Sequence, residues 1–262
     1  MKFTDQTGSI IELKNSPAKI ISVVPSQTEL LFDLGLENEV IGITKFCIHP
    51  EEWFRTKTRI GGTKKLNLEK ILQLQPDIIF ANKEENERTD IEKLKAHFPV
   101  WTSDIKDLQS AIEMIQAIGK ITKKDQLASN IVSGIQNQFS SFRFPDKLNC
   151  IYLIWNNPIM TIGGDTFIND MLLYAGFQNL TSQQNRYPEL SIDQLKKLNP
   201  EVLLLSSEPF PFDQENINYF KAQLPDSKVL KVDGEMFSWY GSRLQKSPLY
   251  FSELRSEIEN AS

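Results

Sequence analysis

The sequence predicts an α/β protein of two similar lobes, each built on a central parallel sheet and joined by one long α-helix. Three observations predict it: a long internal repeat, continuous apolar runs alternating with helical patterns, and one extended amphipathic stretch in the middle of the chain. The repeat is Leu66 to Ala81 (LNLEKILQLQPDIIFA), which returns 124 residues later as Leu190 to Leu205 (LSIDQLKKLNPEVLLL). Each copy carries apolar residues at helical spacing, then a Pro-Asp or Pro-Glu turn, then an apolar run suited to a strand buried on both faces. Two such units predict a cleft between them.

Taken in order, Lys2 to Leu13 reads as a short strand pair, followed by the apolar run Lys19 to Val24, which ends at Pro25-Ser26-Gln27-Thr28. Thr28 and Glu29 are expected to cap a helix with Leu30, Leu31 and Leu34 on its apolar face and Gly35 as its stop. The strand Val40 to Thr44 opens into the irregular segment Lys45-Phe46-Cys47-Ile48-His49-Pro50. Strand-helix-strand order with short connections implies parallel pairing, and in such sheets ligands gather beyond the carboxyl ends of the strands. The loops at 25–28 and 45–50 both fall at that edge. The second half echoes the first: strand Cys150 to Trp155, helix Asn169 to Tyr174 stopped by Gly176, and strand Ser227 to Asp233 as the counterpart of Ala96 to Asp104. Each lobe is therefore expected to be Rossmann-like.

Between them, Thr122 to Phe144 places Leu127, Ile131, Ile135, Phe139 and Phe142 at spacings of four, four, four and three. That is the pattern of one amphipathic helix, which at about 1.5 Å per residue is long enough to run along both lobes. The expected organisation is a first lobe over 1–121, an interlobe helix over 122–144 and a second lobe over 145–262. A helical connector hinges less freely than a multi-strand linker, so lobe motions on binding are expected to be small.

Composition narrows the function. A net charge of -5, with 40% apolar and 24% charged residues, gives no electrostatic reason to expect nucleic acid or an anionic membrane as partner. No window approaches the length of a membrane span, and Met1-Lys2-Phe3-Thr4-Asp5 lacks the apolar core of a secretory signal, so the chain as written is expected to stay in the cytoplasm. Cys47 and Cys150 lie in opposite lobes and are not a disulfide framework. A monomer is the default.

The order and spacing of IISVVPSQTELLFDLGL at 20–36, IGITKFCIHP at 41–50, LNLEKILQLQPDIIF at 66–80, RYPELSIDQLKKLNPEVLLL at 186–205 and MFSWYGSRL at 236–244 resemble a known family. It comprises the substrate-binding proteins of ABC importers that take up vitamin B12, siderophore-bound iron or haem, whose two α/β lobes are joined by one long helix. The resemblance covers nearly the whole chain and is strongest to the B12-binding branch. It implies a non-catalytic protein that captures cobalamin or a related corrinoid in the interlobe cleft and delivers it to an ABC permease dimer. It also implies a periplasmic or cell-surface location, and it makes a cobalt corrinoid or iron chelate the ligand, with no intrinsic cofactor.

By the same resemblance, Phe46 and Tyr187 stand where the family holds its ligand on aromatic side chains, Phe237, Trp239 and Tyr240 fall in the late ligand-facing loop, and Met160 takes a further aromatic position. A large, rigid, partly apolar macrocycle suits flat side chains of low conformational entropy. Thr63 and Asn82 stand where well-known B12 binders carry aromatics. Pro25 and Ser26 complete the expected ligand-facing set, with Arg186 and Arg243 as guanidinium groups able to pair with an anionic siderophore or haem propionates. Glu69 and Asp193, repeat equivalents 124 apart, match the acidic residues that dock on permease arginines. An acid in a first helical turn is also an ordinary partner of the helix dipole.

Cys47 and His49 together suggest a soft-metal or axial ligand, whereas the alternative reading packs Cys47 as a small apolar group and leaves His49 to local hydrogen bonds. A structural zinc site needs about four such ligands, and the only other histidine is His97. Gly61-Gly62 with Lys64-Lys65 lacks the spacing of a Walker phosphate loop and reads as a turn with solvated lysines, as Gly163-Gly164-Asp165 reads as a turn. Trp53, Trp101 and Phe167 are expected in the core. An enzyme reading, metal insertion into a tetrapyrrole, finds no Gly-x-Ser-x-Gly elbow, His-Glu-x-x-His motif or nucleophile-histidine pair. A cytosolic corrinoid or metal-chelate carrier is the remaining alternative.

Overall fold

Two five-stranded sheets, one in each half of the chain, organise this computed structural model, which describes residues 1–140, 142 and 144–260. In the first sheet the spatial order is Thr58–Arg59, Val40–Ile43, Ile20–Ser22, Ile78–Asn82, Val100–Ser103, with every neighbouring pair parallel. The second places Val202–Ser206 between Leu148–Trp155 and Lys228–Val232, all parallel; Phe177–Asn179 joins in parallel and Met160–Thr161 runs antiparallel at the edge. The α/β class with parallel central sheets is therefore as the apolar runs predict.

The chain divides into two compact units. The first holds Met1–Ile105, Gln109–Ile135 and Tyr240–Arg243, and the second holds Lys106–Leu108, Gln136–Trp239 and the chain from Leu244 onward. The amphipathic stretch expected as one helix over 122–144 folds as the helix Asp125–Ser140. Thr122 instead ends a separate helix, Leu108–Thr122, and Lys123 at φ 57° breaks the backbone between the two. Ile131, Ile135 and Phe139 are buried as their spacing predicts, whereas Leu127 is 43% exposed. Residues of this helix up to Ile135 belong to the first unit and those from Gln136 to the second. Ser141 and Arg143, near its expected end, lie outside the described residues, and Phe142 is not helical.

The repeat is legible in three dimensions. Leu68–Leu74 and Ile192–Leu198 are both seven-residue helices, capped by the side chains of Asn67 and Ser191, and both end in a left-handed residue, Gln75 at φ 49° and Asn199 at φ 44°. Each then feeds a five-residue strand whose side chains are all buried, Ile78–Asn82 and Val202–Ser206. Burial on both faces explains the lack of apolar-polar alternation in these runs. In the second unit Leu190, Leu195, Leu203 and Leu205 pack with Ile151, Leu153, Phe212 and Phe220, each large side chain contributing roughly 1.5–3 kcal/mol when fully buried. Trp53, Trp101 and Phe167 are buried, as the sequence predicts.

One helix starts earlier than its capping residues suggest. It spans Pro25–Asp33 with Pro25 in the first turn, where a missing N–H costs nothing. Thr28 does not cap it; its Oγ1 donates back to Val24 O at 2.9 Å.

Candidate functional site

Parallel pairing puts the carboxyl ends of the first unit's strands, and the loops that leave them, along one edge. Four segments matter there: 23–28, 44–50, 60–67 and 82–87. A buried asparagine that sequence reasoning did not single out binds three of them. Asn86 donates from Nδ2 to Val23 O and to Thr63 O, both at 3.1 Å, and accepts from Asn82 N at 2.8 Å. An asparagine within a Glu-Arg-rich loop gives no periodic signal, and only the three-loop geometry reveals its role.

Several expected ligand-facing residues serve this scaffold instead. Asn82 is 2% exposed. Its Oδ1 accepts from Glu84 N at 2.8 Å and Glu85 N at 3.0 Å, and its Nδ2 donates to Ser103 Oγ at 3.0 Å, so the side chain is spent on the turn after its strand. Cys47 is fully buried, its Sγ 3.1 Å from Thr28 Oγ1 and 3.2 Å from Thr44 Oγ1. Burial pushes this thiol above its ordinary pKa despite those hydroxyls. This geometry matches the packed reading of Cys47, a small group enclosed between two hydroxyls in the core. Cys150 is likewise free and buried. His49 is half-buried, and among the described residues no group of three or more His, Cys, Asp or Glu is placed to hold a metal ion.

The segment Tyr240–Arg243 packs on the same edge. Arg243, 7% exposed, forms a two-pronged ion pair with Glu29 through Nε to Oε2 and Nη2 to Oε1, each 2.8 Å. A guanidinium held this way is not free to receive an anionic ligand, which corrects its expected role. Tyr240 donates its hydroxyl to Glu85 Oε1. Burial first, and the Glu85 carboxylate second, hold its pKa well above the usual phenol value. Gly241 lies so close to Ser26 that a Cβ there would sit 2.9 Å from Ser26 O, and Ser26 is buried beneath it. Pro25 stays half-exposed at the helix start.

Phe46 is the aromatic this edge presents to solvent, at 50% exposure. Its ring rests on Gly62, where a Cβ would meet it at 3.1 Å, and Lys45 Nζ lies 5.0 Å from the ring centroid. Thr63, half-exposed, is tied through its carbonyl to Asn86.

The second unit repeats the plan with different side chains. Phe237 is fully buried against Tyr152 at 5.3 Å and Phe251 at 4.8 Å between ring centroids, a core residue where a ligand contact was expected. Trp239, 6% exposed, donates Nε1 to Glu208 Oε1 at 3.0 Å, and Ser238 Oγ donates to the same oxygen at 2.6 Å. Burial raises the Glu208 pKa above the usual carboxylate range, aided by the nearby Glu235 and Asp233 charges, while the Ser238 and Trp239 hydrogen bonds act the other way. The aromatic pair this edge exposes is Trp155, 38% exposed, against Phe210 at 5.4 Å. Neither was singled out from the sequence, although Trp155 ends a strand as a ligand-edge residue should.

Met160 and Tyr187 are half-buried, and Met160 bridges to Glu189. Arg186 is exposed at φ 60°, its N–H donating to Asp165 Oδ1 at 2.6 Å and its carbonyl accepting from Gly163 N at 2.7 Å. This close approach requires Gly163, since a Cβ there would lie 2.4 Å from Gln184 O, so Gly163-Gly164-Asp165 is the turn its composition predicts.

Glu69 and Asp193 occupy the same place in their two helices, the second helical residue, and both are exposed. The caps come from neighbours, Asn67 Oδ1 to Lys70 N at 3.0 Å and Ser191 Oγ to Gln194 N at 3.2 Å. Neither carboxylate is the cap.

Comparison with known proteins agrees with this architecture. A vitamin B12-binding protein of Vibrio campbellii is 26% identical over 199 residues, 73% of this chain and 72% of that one. An uncharacterized ABC transporter substrate-binding lipoprotein, YvrC of Bacillus subtilis, is 29% identical over 212 residues, 76% of this chain and 67% of its own. Among solved structures, the periplasmic vitamin B12 binding protein BtuF of Vibrio cholerae superposes with a TM-score of 0.79 at 19% identity, covering 94% of this chain and 98% of that one. The periplasmic haem-binding protein RhuT of Roseiflexus sp. RS-1 gives 0.79 at 17%, over 93% and 98%. With the periplasmic binding protein profile matching residues 20–231, the chain belongs to the periplasmic binding protein family.

Proposed function

We propose that this protein captures a metal chelate, cobalamin or a related corrinoid, and hands it to an ABC importer without chemical turnover. The observation that carries the reading is the exposed Phe46 at the carboxyl edge of a parallel sheet in a chain of this family, 50% open to solvent with its ring against Gly62. An exposed ring costs apolar hydration when nothing covers it and suits a flat macrocycle when something does. The relatives named for vitamin B12 favour the corrinoid. In the first unit Pro25, Thr63 and His49 remain expected contacts of the chelate, and in the second unit Met160, Arg186 and Tyr187 do.

A second reading, haem or a ferric siderophore in the same role, is favoured by the lysines around Phe46 and by the likeness to a haem-binding structure. In either case the protein works as a monomer outside the cytoplasmic membrane, in the periplasm or on the cell surface, with Glu69 and Asp193 meeting the permease dimer. Among the described residues, no helix is long and apolar enough to cross a membrane. Size-exclusion chromatography after incubation with cyanocobalamin or haemin tests capture. Co-elution of the chelate's visible absorption with protein, unchanged chemically on release, is the expected result; free elution of every chelate contradicts it.

A further inference from the structure

The turn Gly61-Gly62 and its following lysines carry none of the Walker spacing, yet the structure brings a third lysine and an aromatic ring to them. Gly61–Gly62 and Lys65–Leu66 form a small antiparallel hairpin in which Gly62 pairs with Lys65. The backbone of Lys45 is tied to it, N to Gly61 O at 2.8 Å. The Lys45 side chain folds beside the Phe46 ring, and a Cβ at Gly62 would touch both Phe46 and Lys45 Cε, at 3.1 and 3.3 Å. Lys64 Nζ, on the same hairpin, donates to Glu84 O at 2.5 Å. The result is an open groove lined by Lys45, Phe46, Gly62, Lys64, Lys65 and Asn67.

Three lysines line this groove in a chain whose net charge is -5. Among the described residues none of the three has a carboxylate within ion-pair distance. Asp90, the acid bonded to this hairpin, accepts from Leu66 N at 3.2 Å. Like charges gathered without a counter-ion repel one another, and an anion seated among them relieves that repulsion. The ring alongside supplies a flat apolar wall.

We propose that Lys45, Lys64 and Lys65 form an anion seat beside Phe46, which takes the phosphodiester or carboxylate arm of a chelate whose flat body lies on the ring. This rests on the chelate-capture reading above and adds what the ligand must carry. The seat discriminates between ligands of one shape that differ in that arm.

The test titrates the full chain with three probes at low and high salt: cyanocobalamin, which has a phosphodiester; dicyanocobinamide, which lacks it; and haemin, which has two carboxylates. Wild type is compared with a Lys45→Gln, Lys65→Gln double variant, both sites being exposed and, among the described residues, making no hydrogen bond through Nζ. The expected result is a loss on the order of tenfold for cyanocobalamin or haemin in the double variant, with a weaker salt dependence, and no change for dicyanocobinamide. Loss for cyanocobalamin assigns the phosphodiester, and loss for haemin assigns the carboxylates. Equal affinities in wild type and variant, or equal binding of cyanocobalamin and dicyanocobinamide with none of haemin, overturn the anion seat while leaving chelate capture standing. Binding of none of the three overturns both.

Discussion

Arg243 and Glu29 form a two-pronged ion pair, both contacts 2.8 Å, that anchors a late segment of the chain to the first helix of the first unit. The side chains are 8% and 11% exposed. Two charges taken this far from water lose hydration that only the fork of guanidinium on carboxylate restores.

Removing one partner leaves the other buried and uncompensated. Arg243→Ala and Glu29→Ala are therefore each expected to lower stability by about 3–5 kcal/mol, and Glu29→Met with Arg243→Met together by less than either truncation alone. Urea denaturation of the three variants measures this. Single variants that match wild type would contradict the pair's structural role.

Two phenylalanines expected on one ligand surface now separate. Phe237 is enclosed by Tyr152, Tyr250 and Phe251, so Phe237→Ala is expected to cost about 3–5 kcal/mol of stability. Phe46 is half open, and Phe46→Ala is expected to keep the melting temperature within a few degrees while weakening chelate binding on the order of tenfold. Thermal melts beside binding titrations distinguish the two. A Phe46 variant that binds as wild type removes the ring from the site.

Glu69 and Asp193 sit at matching positions of repeated helices, exposed, with capping done by Asn67 and Ser191. Glu69→Lys with Asp193→Lys is expected to abolish importer-dependent uptake and leave chelate affinity unchanged. Uptake in cells carrying the reversed pair checks it; uptake at the wild-type rate refutes docking through these residues.

Glu208 makes a pH prediction. Burial holds its folded pKa above the usual 4.5, so between those two values the folded protein keeps a proton that the unfolded chain has released. Stability contributed by this group therefore falls as pH rises through that window. Glu208→Gln retains an acceptor for Ser238 and Trp239 without the ionisation, so the variant is expected to gain on wild type as pH rises from about 4.5. Denaturation midpoints of both proteins across the window read the difference. Parallel profiles would contradict it.

The fold was legible in the sequence wherever burial is two-sided or periodic. Ile78–Asn82 and Val202–Ser206 announce themselves as apolar runs, and the duplication fixes their helices as well. Boundaries set by a single backbone torsion were not legible: Lys123 at φ 57° splits the central stretch, and nothing in its side chain demands that conformation. The site was legible as an edge and only partly as residues. Resemblance located the loops, but whether Asn82, Arg243 or Phe237 faces ligand or scaffold depends on partners far along the chain, such as Ser103 and Glu29, which no local pattern encodes. Asn86, Trp155 and Phe210 were missed for the same reason.

The most direct measurement is calorimetric titration of the purified chain with cyanocobalamin, dicyanocobinamide, haemin and a set of ferric siderophores. One-to-one, saturable binding of a chelate at micromolar or tighter affinity, with no chemical change in it, is the predicted result, and a corrinoid is the predicted chelate. Binding of haem or a siderophore alone would contradict the corrinoid assignment, and absence of binding across the panel would contradict chelate capture itself.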